Sequence, residues 1–224
     1  ESLASFLQSN YQLSSNNTFI TGFSNGGEIS YLLAFDGSNV FKAFAPVAGT
    51  VFPNGTINNL FNPNMPVPMF VTHGYNDNTS FYDGDLYDQF WGPYLSVDTL
   101  VDFWINSNSL NNVIIDTFPD LNNDGNITIS KKHFSSSTNN EVWLYSHNNG
   151  HNWGDSDIVI TQEIWDFFSL FVNNTTELTE NNNNNNKKLS SIFNLLGQKN
   201  ITTKNIPHFY IYDDGTVEKK IILE

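Results

Sequence analysis

A chain of 224 residues is long enough for one sizeable core and a small second module, since domains typically run to about 100–200 residues. Its formal charge of −14, with nine cationic side chains that are all lysine, argues against a nucleic-acid partner, because phosphate binding draws on clustered Lys and Arg. The absence of cysteine excludes a disulfide framework, a thiolate nucleophile and a Cys-based metal site, and no apolar run is long enough to span a bilayer as a helix.

The chain opens at Glu1 directly into a helical pattern with no leader or capping residue, so the start reads as a truncation, and any signal peptide belongs to the missing segment. Leu3, Phe6, Leu7, Tyr11 and Leu13 recur at mostly helical spacing and predict an amphipathic helix over 3–13. Residues 18–21 are β-prone and stop at Gly22, which predicts a buried strand. A helix follows over 28–35, with Ile29, Leu32 and Leu33 on one side. Residues 41–47 and 67–72 are apolar runs bounded by Gly, Pro or Asn and predict two further strands. The periodicity then predicts a helix over 97–105, strands over 112–118, 127–134 and 141–146, and a closing helix over 158–172. Strands alternating with helices imply an α/β fold around a parallel sheet.

Residues 173–186 are polar and Asn-rich, too poor in apolar surface to fold, and read as a linker. Beyond them, strand-like pieces at 189–195, 208–212 and 217–223 are broken by Gly197 and by Asp213-Asp214-Gly215, which suits a small β module.

Gly22-Phe23-Ser24-Asn25-Gly26 matches G-x-S-x-G between a predicted strand and a predicted helix. A serine at the tip of such a turn is held in a strained backbone conformation, and the flanking glycines leave room for it. The N–H groups at the start of the following helix, Asn25 included, face the oxyanion that would form on attack at a carbonyl. A hydrolytic serine also needs a base, and the base an acid. Asp77 lies just past a strand end, with Asp83 and Asp85 as fallback acids. His151 and His147 are the candidate bases on a loop before the last helix. His151, between Gly150 and Asn152-Trp153, is preferred, while His147 continues a strand. His73 lies too near its strand to serve easily, and His133 reads as a surface strand residue. Trp153 and the aromatic stretch 81–91 follow the loops that carry His151 and Asp77 and are candidates for a binding surface.

Gly22-Phe23-Ser24-Asn25-Gly26-Gly27, then His73-Gly74 followed by Asp77, then Gly150-His151-Asn152-Trp153 resemble the elbow, acid loop and histidine loop of the polyhydroxybutyrate depolymerase and feruloyl esterase family. The resemblance implies a secreted α/β-hydrolase with a mostly parallel sheet flanked by helices, acting on carboxylic esters. Ser24 would be the nucleophile, Asp77 the acid and His151 the base, with no cofactor and no metal. It also implies that the first strands of the sheet are missing, together with an upstream His-Gly loop that supplies a second oxyanion donor. Lys187-Lys188-Leu189, Leu195-Leu196-Gly197 and the stretch from Tyr210 to Lys220 resemble the C-terminal sorting domain of the type IX secretion system of certain Gram-negative bacteria. That resemblance implies the secretion machinery as a partner and a secreted or cell-surface location.

The expected organisation is therefore a partial α/β-hydrolase esterase domain over 1–172, a linker over 173–186 and a sorting domain over 187–224. The expected substrates are feruloyl or acetyl esters of plant polysaccharide, or polyhydroxyalkanoate. A serine peptidase of the same fold, a non-catalytic fragment and a carbohydrate-binding surface protein are the alternatives. Asp120-Leu121-Asn122-Asn123-Asp124-Gly125 resembles the start of a calcium loop, but Lys131 stands where an EF-hand has its bidentate Glu, so the segment reads as a polar turn.

Overall fold

A computed structural model describes residues 1–52, 66–173, 187–194, 197–199, 204 and 207–221. The chain divides into two units, Glu1–Asn173 and Asn174–Glu224. The first holds α1 (Ser2–Tyr11), β1 (Ile20–Phe23), α2 (Asn25–Phe35), β2 (Phe44–Val47), β3 (Met69–Gly74), α3 (Val97–Ser107), β4 (Asn112–Thr117), β5 (Thr128–Phe134), β6 (Val142–His147) and α4 (Ile160–Ser169). The linker expected at 173–186 lies, apart from Asn173, outside the described residues, as does Leu195 at the end of the strand expected from 189.

Strand alternation sorts the core onto two faces of one sheet. In β3, Met69 and Val71 point into one apolar cluster and Phe70 into another; in β6, Val142 and Leu144 join the first, Trp143 and Tyr145 the second. Tyr31 and Phe35 of α2 and Leu100 and Trp104 of α3 cover the first face. Ile164, Phe167 and Phe168 of α4 cover the second. Both faces being covered explains why 69–74 and 142–147 are buried at every position. Ser96 caps α3 by accepting from the Thr99 N–H at 3.2 Å, and Asp155 Oδ1 takes the Ile160 N–H of α4 at 2.8 Å.

The strand order is β1-β2-β3-β6-β5-β4. β1, β2, β3 and β6 run parallel to one another, whereas β5 pairs antiparallel with both β6 and β4. The sheet is thus mixed where a mostly parallel one was expected. The Asn/Asp/Gly-rich connection between β4 and β5 is too short for a helical crossover and closes a hairpin instead.

Two burial expectations are also corrected. β1 is the edge strand of the sheet and is only half-buried, not buried on both faces. α2 turns Gly27, Ser30, Tyr31, Ala34 and Phe35 inward, while Ile29 and Leu32 remain 53% and 55% exposed. Its small residues let the helix lie close against β1 and β2, and that approach selects the inward face over the larger aliphatic one. α1 buries no residue fully. In the second unit, β7 (Leu189–Asn194), β8 (Pro207–Tyr212) and β9 (Val217–Ile221) form a three-stranded antiparallel sheet. Among the described residues, no helix is long and apolar enough to cross a membrane.

Candidate active site

The turn from β1 into α2 carries Ser24 at φ 54°, ψ −119°, a conformation that costs a non-glycine residue about 1–3 kcal/mol. It is held from both sides: the Ser24 N–H donates to Val47 O at 2.9 Å, and the Glu28 N–H donates to Ser24 O at 3.0 Å. The glycines that permit it are not equivalent. A Cβ on Gly22 would sit 2.5 Å from Gly26 C, and one on Gly27 would sit 2.8 Å from Val47 O, but one on Gly26 would meet nothing within 4 Å. Gly22 and Gly27 therefore supply the close approach, and Gly26 does not.

Asp77 follows β3. Its Oδ1 accepts the N–H groups of Thr79 and Ser80, both at 2.8 Å, which folds the segment into a tight Asx turn. Its Oδ2 faces His151 Nδ1 at 2.7 Å and His73 Nε2 at 3.4 Å. Burial alone would raise the Asp77 carboxyl, but the bonds from His73, Ser80, His151 and Thr79 outweigh it and hold it well below the usual carboxylate range. An ionised Asp77 only accepts, so His151 Nδ1 carries the proton and Nε2 is free to accept one. Ser24 Oγ lies 3.0 Å from that Nε2.

The loop after β6 that bears His151 is tied to the loop after β3. Tyr75 N–H donates to His147 O at 2.7 Å, and Asn76 N–H to Asn149 O at 3.2 Å. Gly74 is required here, since a Cβ would lie 2.3 Å from Asn149 O. Phe23 packs against the His151 ring at 4.9 Å between centroids and stacks on Trp153 at 5.7 Å.

The structure thus brings Ser24, His151 and Asp77 into one hydrogen-bonded chain. A neutral imidazole between a serine hydroxyl and a buried carboxylate can take the hydroxyl proton and be stabilised once charged, which is the chemistry of an activated nucleophile. No family model matches the chain, and no curated protein does. Among solved structures it is similar to an acetyl xylan esterase from Aspergillus awamori, at 12% identity and a TM-score of 0.47, over 75% of this chain and 65% of that one.

The other predicted residues take varied places. Asn25 opens α2 at the pocket edge, where the first-turn N–H groups have no intrahelical partner. Trp153 backs Phe23 and lies outside the pocket lining. Asp83 is exposed and Asp85 caps the Tyr87 N–H at 2.7 Å, so neither fallback acid bonds His151. His73 is buried and donates from Nε2 to Ser80 O at 2.7 Å. His147 is buried against Gly74 and Gly154, and burial pushes its imidazole down to about 4. His133 is half-buried in β5.

A cavity of about 80 Å³ opens beside Ser24 and His151. Glu28, Thr50, Phe52, Thr79, Ser80, Trp91 and Tyr94 complete its wall. Trp91 belongs to the aromatic stretch singled out in the sequence; the others were not anticipated. Glu28 was reachable, lying one helical turn beyond the serine, as were Thr79 and Ser80 in the turn that Asp77 caps. Thr50 and Tyr94 come together only through folding, where the Leu95 N–H bonds Val51 O at 3.1 Å. Away from the cavity, carboxylates of Asp120, Asp124 and Asp157 converge within 4.8 Å of one another, and Asp157 was not foreseen as part of that turn.

Proposed function

We propose that this chain is a serine hydrolase of the α/β-hydrolase type that cleaves carboxylic esters through an acyl-enzyme. Ser24 attacks the carbonyl, His151 takes its proton and returns it to the leaving alcohol, and Asp77 holds the imidazole in the required tautomer. Water then repeats the sequence on the acyl group. The Asn25 N–H contributes one donor to the developing oxyanion.

The observation that carries this reading is the pairing of the strained Ser24 backbone with the 3.0 Å approach of His151 Nε2. Strain of that kind persists only where the surrounding structure enforces it, and here it aims Oγ at a base. The order Ser, Asp, His along the chain and the three motifs that resemble polyhydroxybutyrate depolymerases and feruloyl esterases support esters as the substrate class, with feruloyl or acetyl polysaccharide and polyhydroxyalkanoate as the forms to test. Export to the cell surface or medium belongs to the same reading. It rests on the resemblance of the closing motif to a sorting domain, with which the antiparallel sheet of the second unit is compatible.

The test is hydrolysis of short-chain p-nitrophenyl esters and matched p-nitroanilides by the full chain and by Ser24→Ala. We expect ester turnover that falls at least about 10³-fold in the variant, with anilides slower than esters. Faster anilide turnover would assign a peptidase, and ester turnover unaffected by the substitution would end the proposal.

A further inference from the structure

Glu28 lines the cavity together with Ser24 and His151, yet the proposed chemistry gives it no part. Its position follows from helix geometry. Its N–H makes the first helical bond of α2, to Ser24 O at 3.0 Å, which puts it one turn beyond the nucleophile. Side chains in a helix tilt toward the N-terminus and cover the preceding turn, which directs this side chain to the cavity that Ser24 also lines. It is half-buried, and among the described residues it takes part in no side-chain hydrogen bond or ion pair. Burial raises the Glu28 carboxyl above its ordinary range, with His151 acting against that shift, and its oxygens are not sealed from water, so a ligand hydroxyl can take the place of solvent there.

Among the described residues, the wall of the cavity holds no lysine, and His151 is committed to Ser24 and Asp77. Thr50, Thr79 and Ser80 are neutral hydroxyls, and Phe52 and Tyr94 form an edge-to-face aromatic pair at 5.9 Å. Other negative charges lie nearby. Burial holds the Tyr94 phenol above its ordinary range, and the carboxylates of Asp85, Asp88 and Asp77 add to that effect. Any ligand in the cavity therefore meets a negative field and one strong unused acceptor.

We infer that Glu28 is a specificity determinant of this site, admitting uncharged, hydroxyl-bearing esters, whose O–H it accepts, and turning away esters that carry a negative charge near the reacting carbonyl. The inference rests on the ester-hydrolase reading above and deepens it. A hydroxyl bonded to an ionised acceptor gains about twice the strength of a neutral pair. A substrate carboxylate within several ångströms of Glu28 meets repulsion worth about tenfold or more in binding at the effective dielectric of a protein surface.

The experiment compares kcat/KM of wild type and Glu28→Gln on two pairs of esters similar in shape, one member neutral and the other anionic. In p-nitrophenyl butyrate and p-nitrophenyl hemisuccinate the charge is on the acyl side; in 4-acetoxybenzamide and 4-acetoxybenzoate it is on the alcohol side. We expect Glu28→Gln to raise the anionic-to-neutral ratio about tenfold in at least one pair, and the wild-type penalty to shrink between low and high salt, which a packing role would not produce. Ratios unchanged in both pairs, or all four esters moving by one common factor, would mean that Glu28 acts through His151 or the fold, and would overturn the inference. If neither protein hydrolyses any ester and a fluorophosphonate leaves Ser24 unmodified, the underlying reading fails and the inference falls with it.

Discussion

His151 Nδ1 donates to Asp77 Oδ2 at 2.7 Å across a sequence separation of 74 residues. Neither loop fixes that distance alone. β3 and β6 pair in parallel register from Met69 with Val142 to Gly74 with His147, and the two loops leave the sheet side by side. The orientation of the imidazole is thereby a property of the sheet.

Replacing Asp77 by Asn should leave the fold intact and lower kcat by roughly 10³–10⁴-fold with little change in KM, because an amide cannot hold the Nδ1 proton as a carboxylate does. Steady-state kinetics on a chromogenic ester decide it. A kcat within tenfold of wild type would remove Asp77 from the mechanism.

The elbow glycines should respond with opposite signs. Gly22→Ala forces a Cβ to 2.5 Å from the Gly26 backbone and should destabilise by about 1–3 kcal/mol or more. Gly26→Ala places its Cβ in open space within a helix and should stabilise by about 0.5–1 kcal/mol. Denaturant unfolding of the two variants would refute this packing if both lost stability equally.

Strain at Ser24 predicts a stability difference between two inactive variants. Glycine tolerates φ 54°, ψ −119° and alanine does not, so Ser24→Gly should be the more stable by about 1 kcal/mol, the relief of strain exceeding the entropy that glycine loses on folding. An alanine variant more stable than the glycine variant would show that the backbone is unstrained.

His147 predicts a pH effect on stability. Its folded-state value, pushed by burial to about 4, lies below the usual 6.5, so the unfolded chain binds more protons between these values. Stability should therefore be full above about pH 6.5 and fall by on the order of 2 kcal/mol as pH drops toward 4. Asp77, whose folded value is depressed, keeps its contribution until the pH falls below about 4, outside this window. Unfolding of His147→Asn at pH 7 and 4.5 should show a smaller loss than wild type, whatever its absolute stability; an equal loss would assign the acid sensitivity elsewhere.

Much of this geometry was legible in the residues because it is locally encoded. The elbow declares itself through Gly22, Ser24 and the strand and helix around them, and the apolar runs of β3 and β6 follow from burial on both faces. What escaped depends on the fold. The edge position of β1 depends on which strand pairs with it, and the inward face of α2 on how closely Gly27 lets it approach the sheet. The antiparallel hairpin of β4 and β5 depends on where a short loop returns. Tyr94 and Thr50 reach the cavity from segments that only tertiary structure brings to Ser24. Glu28 was readable from helical spacing, but its lack of a partner was not.

Labelling of the full chain with a fluorophosphonate probe, read by intact mass and peptide mapping, tests the central claim most directly, since only an activated serine reacts quickly. One adduct at Ser24, absent in Ser24→Ala and much slower to form in Asp77→Asn, is the predicted result. A folded protein that takes no adduct, or takes it at another serine, would contradict the assignment of Ser24, His151 and Asp77 as one catalytic unit.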